Sequence, residues 1–137
     1  MTTQDGRGVT GLKRLIAVGV LTLFIVVVCV VGHLTIESHY AQLSENLKRA
    51  YSAAEQEQPE AAAEAARKTE ALYVKAEGKM TFFVDHTLVE ELGVSISRLC
   101  PLAEAGDLKE FRAECMAAQT RLRHILNDER LTFVNVF

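Results

Sequence analysis

Three cysteines, four histidines and scattered carboxylates are the residues of this chain that could do chemistry. Asp85, His86 and Glu90 fall within six positions, and an antiparallel hairpin would bring His124 opposite them. Two imidazoles beside carboxylates have the donor set for a divalent cation or for a pH sensor. Asp85, His86 and His124 are therefore the candidate metal residues. The structural alternative is a capped helix start with a hydrogen-bonded histidine. Cys100 lies six residues before Gly106 and Cys115 nine after it, within about one turn of alignment across a hairpin. They form either a disulfide, in an oxidising compartment, or two small buried hydrophobes. No C-x-x-C spacing accompanies them.

Other motifs carry less. Gly6-Arg7-Gly8-Val9-Thr10-Gly11 matches G-x-G-x-x-G, but the dinucleotide motif needs a preceding strand and a βαβ unit. Residues 1–11 read instead as a flexible tail. His33 and Glu37 stand one helical turn apart and suit an interfacial pair. No nucleophile elbow, H-E-x-x-H or phosphate-binding loop is present, so neither an enzyme nor a cofactor is expected.

The element that must position everything else is the apolar run Leu15 to Val31, which holds no charge and one weakly polar residue, Thr22. As a helix it spans about 25 Å, and its flanks extend it to a transmembrane helix over residues 12–34. Cys29 falls inside it as a packing or lipid-facing residue. A cleaved signal peptide would have only the poor site Val30-Val31-Gly32, and Val28 before Cys29 does not suit a lipoprotein. Arg7, Lys13 and Arg14 precede the run while Glu37 and Glu45 follow it. The positive-inside rule then puts the N-terminus in the cytoplasm and the rest outside.

From Leu34 onward there are 12 Lys and Arg against 17 Asp and Glu, a net of −5. That balance argues against nucleic acid as a partner. With no tryptophan, two prolines and abundant Ala, Glu and Leu, the segment reads as helical. Ile36, Tyr40, Leu43, Leu47, Tyr51 and Ala54 line a first helix, with nothing to break the chain between it and the span. Pro59 starts a second, with Ala62, Ala65, Thr69, Leu72, Ala76, Met80 and Phe83 as its stripe and a weak point at Gly78. Thr87 with Glu90 fits a capping box for a third helix, with Asp85 as the competing cap. That helix buries Leu88, Leu92, Ile96 and Leu99 and bends or ends at Pro101. Asp107 caps a fourth, in which Leu108, Phe111, Cys115, Ala118, Leu122 and Ile125 follow a 3-4 spacing.

The expected fold is all-α: a single transmembrane helix continuing into an up-down antiparallel bundle of two helical hairpins over residues 35–130. Residues 131–137 then form an apolar tail after the charged stretch Asn127 to Arg130. Its Leu131, Phe133, Val134, Val136 and Phe137 are candidate interaction residues. The alanine-rich second helix makes a thin core, because alanine removes little apolar area from water. A membrane-protein partner or self-association would compensate.

Several stretches together resemble an uncharacterised bacterial family, domain of unknown function 4363. They are Leu12-Lys-Arg-Leu-Ile, Phe82-Phe-Val-Asp-His86, Ser97-Arg-Leu99, Leu122-Arg-His-Ile125, and the closing Leu131 to Phe137 with Asn135. The resemblance covers nearly the whole chain. It implies a single-pass membrane protein of the kind common in spore-forming Gram-positive bacteria, with a small helical outer segment and no assigned activity. The tryptophan expected in the second helix is missing here, with Tyr73 in a position to stand in for it. The functional expectation is a non-enzymatic membrane protein whose bundle binds another membrane or envelope protein. The alternative is an extracytoplasmic sensory module for a small ligand or metal, which a cytoplasmic part of about twelve residues serves poorly.

Overall fold

A computed structural model describes residues 5–81 and 84–136, which form four α-helices and, among the described residues, no strand. They are α1 (Asp5–Glu55), α2 (Pro59–Met80), α3 (His86–Glu104) and α4 (Leu108–Val136). The chain divides into two compact units, Met1–Thr35 and Ile36–Phe137.

The first unit is helical from Asp5, so Gly6 to Gly11 lie in the first turns of α1 and not in a flexible tail. The G-x-G-x-x-G lettering is therefore helix, without the strand and turn that phosphate binding requires. From Leu15 to Val31 every large apolar side chain is exposed, between 44% and 74%, on all sides of the helix. A soluble helix keeps its apolar residues to one stripe; one that is apolar all round belongs in a protein interior or a bilayer. Thr22 is compatible with lipid because its hydroxyl donates to the carbonyl of Val18 at 2.8 Å.

In the second unit, α1 buries Ile36, Tyr40, Leu43, Leu47, Ala50 and Ala54, with Tyr51 half-buried beside them. Helix α3 makes the close pairings, with α2 on one side and α4 on the other. Small residues permit that approach, whereas α1 meets the others through Tyr40, Leu43 and Leu47. The short connections after α2 and α3 make successive helices antiparallel, giving the expected up-down bundle. Leu92, Ile96 and Leu99 of α3 and Phe111, Cys115, Leu122 and Ile125 of α4 complete the core, each at most 2% exposed.

Local expectations in α2, α3 and α4 are corrected. The stripe of α2 is rotated: Ala62, Ala63, Ala66, Thr69, Tyr73, Ala76 and Met80 are buried, while Ala65 and Leu72 are only half-buried. Gly78 does not break α2, and Phe83 lies outside the described residues. At α3 the cap is Asp85, whose carboxylate accepts from the Thr87 N–H at 2.8 Å, and Val89 takes the buried position expected of Leu88. Pro101 is accommodated within α3, which runs on to Glu104. Finally α4 continues to Val136, so Leu131, Phe133, Val134 and Val136 are its last turns and not a separate tail; Phe137 lies outside the described residues.

The α1–α2 and α3–α4 turns close the same end of the bundle, facing each other across a hollow lined by Glu57, Pro59, Gly106 and Asp107. Both are Schellman closures. Gln58 N–H reaches the carbonyl of Ala53 at 2.9 Å and Glu57 N–H that of Ala54 at 3.2 Å. Asp107 N–H reaches Leu102 at 3.0 Å and Gly106 N–H reaches Ala103 at 3.1 Å. Gly106 holds the left-handed position with φ 74°; in the other turn Glu57 holds it, with φ 56°. A side chain in that conformation costs about 1–2 kcal/mol. Glu57→Gly should therefore stabilise the bundle by about 1 kcal/mol in chemical denaturation of the detergent-solubilised chain, whereas Gly106→Ala should destabilise it by about as much.

Candidate functional site

The metal candidates do not converge. Asp85 is committed to capping α3, and His86 Nε2 lies 2.7 Å from Glu90 Oε1 one turn along the same helix. His124 is exposed on α4. Among the described residues no group of three or more His, Cys, Asp or Glu side chains could hold a metal ion. Hairpin counting sets the level of a residue along the bundle but not the side of the helix it occupies.

Cys100 and Cys115 are free thiols, for the same reason. Cys100 faces α2, where its Sγ donates to Glu70 Oε2 at 3.6 Å. Cys115 occupies the buried seam of α4. Burial raises both thiol pKa values. Cys115 is pushed up to about 12, with Glu114 adding to the effect, and Cys100 is raised further by the charge of Glu70. At neutral pH both are protonated and act as packing groups.

Polar side chains between helices hold the bundle together. Tyr73 of α2 reaches across to α3 and its hydroxyl donates to the Val89 carbonyl at 2.8 Å. Gly93 makes the room: a Cβ there would stand 2.5 Å from the Tyr73 oxygen. Arg98 binds Glu114 at 3.0 Å, and Arg121 donates to the buried Ser95 while its Nε lies 3.9 Å from Glu91. Arg67 and Glu104, 3.8 Å apart, join α2 to α3 near the turn end.

Sequence reasoning missed a groove of about 420 Å³ between α2 and α3. Val74 and Val94 face each other across it, 63% and 52% exposed, over a floor that includes Tyr73 and Gly93. Glu70, Glu77 and Glu90 form its rim. The available signal was two valines off the buried stripes, one of them next to a glycine in mid-helix. Exposed β-branched residues ringed by carboxylates are complementary in chemistry to an apolar side chain flanked by cations.

A family model matches residues 30–136, described as a domain of unknown function (DUF4363). The chain belongs to this family. The match covers the second unit and the last residues of the first, so in this DUF4363 chain the family's shared part is the bundle that carries the groove. No curated protein and no solved structure matches the chain.

Burial also pushes the Tyr73 phenol up to about 12, helped by Glu77 and Glu90. Unfolding lets Tyr73 and Cys115 ionise near their ordinary values of 10 and 9. Between about pH 9 and 12 the folded chain thus holds more protons than the unfolded one, and stability falls as pH rises. Urea midpoints should be level below pH 9 and decline steadily above it. Tyr73→Phe should lower the midpoint at pH 8 by about 1 kcal/mol equivalent but flatten the alkaline decline.

Proposed function

We propose that this DUF4363 chain is a non-enzymatic, single-pass membrane protein whose helical bundle lies outside the cytoplasm and binds another membrane or envelope protein. The observation that carries the reading is the run Leu15 to Val31, apolar and exposed around the whole circumference of α1. That helix is long and apolar enough to cross a membrane. The basic residues Arg7, Lys13 and Arg14 before the run and the acidic Glu37 and Glu45 after it favour a cytoplasmic N-terminus.

Two features support the binding role. Several polar side chains are engaged in joining one helix to another, as Tyr73, Arg121 and Arg98 are. Apolar side chains meanwhile remain on the outside, in the α2/α3 groove and at Met116. The last turns of α4, with Leu131, Phe133, Val134 and Val136, add an apolar sequence whose contacts would be made with the partner.

The test is a mild-detergent pull-down of the full-length chain, repeated without residues 131–137 and with Phe133→Asp. One stoichiometric membrane protein should co-purify and be lost from both variants, while their melting curves stay cooperative. Recovery of the chain alone in every case would overturn the partner-binding reading.

A further inference from the structure

Two outward faces of the bundle complement each other. On α2 and α3, Val74 and Val94 lie between the carboxylates of Glu70, Glu77 and Glu90. On α4, Lys109, Met116 and Arg123 are all exposed and stand seven residues apart, so they share one side of the helix. Met116 is 58% exposed, and no carboxylate falls on the stripe that continues through Ala113 and Thr120. Arg112 lies half-buried at its edge. The groove is thus apolar with an anionic rim, and the stripe is apolar with cationic ends.

Their registers also agree. The Arg98–Glu114 pair sets those two residues level across the α3–α4 hairpin, which puts Met116 level with Ile96 and Arg123 level with Glu90, each within about a turn. The contact of Tyr73 with Gly93 sets those residues level across α2 and α3, which puts Val74 near the level of Val94 and Glu77 near that of Glu90, with Glu70 a turn nearer the Gly106 end than Val74. A second copy rotated about the bundle's long axis, and not slid along it, sets Met116 at the height of the two valines. The same rotation sets Arg123 at the height of Glu77 and Glu90, and Arg112 near that of Glu70. Among the basic residues of α2 and α3, His86 is engaged by Glu90, Arg67 by Glu104 and Arg98 by Glu114.

We propose that the bundle self-associates head to tail, the Met116 face of α4 in one copy seating in the α2/α3 groove of the next. Such a contact uses two different surfaces, so it repeats into rings or rows in place of stopping at a two-fold dimer. The inference rests on the membrane-span reading in one respect: copies inserted by the same run share one membrane and one sidedness. Exposed ion pairs are individually weak. Confinement in one membrane raises the effective concentration at which they act.

The test uses purified full-length chain in phosphatidylcholine vesicles, with two tagged copies carrying Val94→Cys and Met116→Cys respectively, oxidised with copper phenanthroline. The parent chain with its own three thiols gives the baseline. The mixed disulfide should exceed both same-residue products by about tenfold. Arg112→Glu with Arg123→Glu in the Met116→Cys copy should abolish that excess, and Glu70→Lys, Glu77→Lys and Glu90→Lys in the other copy should restore it. Same-residue products in the majority would show a two-fold contact and overturn the proposal, as would no product above the parent's. Chain washed from the vesicles by alkaline carbonate would instead overturn the membrane reading, so the two failures are separable.

Discussion

The structure depends on a constraint carried by α1, which joins a stretch apolar on all sides to a stretch apolar on one. Between Leu15 and Val31 it carries 13 Leu, Ile, Phe and Val residues and presents all of them outward. At about −0.3 to −0.6 kcal/mol for each such residue at a bilayer centre, insertion is favoured by roughly 4–8 kcal/mol. The same side chains left in water would oppose that sum as a solubility cost. From Ile36 onward the helix changes grammar, and its apolar residues fall back to one stripe that α2, α3 and α4 can cover. One stretch of sequence is thus long and apolar enough to cross a membrane, and the next is patterned for a bundle.

Within the bundle, α3 is the organising element. It packs closely on both α2 and α4, and each interface is tied by a specific polar contact: the Tyr73 hydroxyl on the Val89 carbonyl, and Arg98 and Arg121 on Glu114 and Ser95. Alanines in α2 give that interface closeness at the expense of buried area. Tyr73 compensates by filling the space over Gly93 while its one polar atom finds a carbonyl. Packing α2 against α3 in this way also leaves Val74 and Val94 outside the seam, so the contact that secures the core creates the exposed groove.

Much of this architecture was legible in the sequence. Helix α4 could be read closely because Phe111, Cys115, Leu122 and Ile125 are large or distinctive and recur at 3-4 spacing. The turn at Gly106 and the cap at Asp107 were equally explicit, since few residues serve those positions. Helix α2 could not be phased, because a run from Ala61 to Ala66 interrupted only by Glu64 has no large side chain to mark its inner face; the phase comes from Tyr73 meeting Gly93, a contact twenty residues away in sequence. At the α3 start two side chains could cap, and nothing local decides between Asp85 and Thr87. The stretch Asn127 to Arg130 looked like a break because it is charged, yet charge alone does not end a helix and no Gly or Pro is present there to do so. For the histidines and cysteines the structural alternatives describe what is seen, a capped helix start with His86 beside Glu90 and a buried Cys115, because level along a hairpin does not fix facing.

The proposed function turns on sidedness: the bundle can meet an envelope partner only if it is displayed beyond the membrane. Membrane-impermeant maleimide labelling of intact cells, with Cys29, Cys100 and Cys115 replaced by alanine and cysteine placed separately at Thr3 and at the exposed Ser52, reads this directly. The Ser52→Cys chain should label in intact cells, and the Thr3→Cys chain only after permeabilisation. Labelling of Thr3→Cys in intact cells, with Ser52→Cys protected, would place the bundle in the cytoplasm and contradict the proposed function.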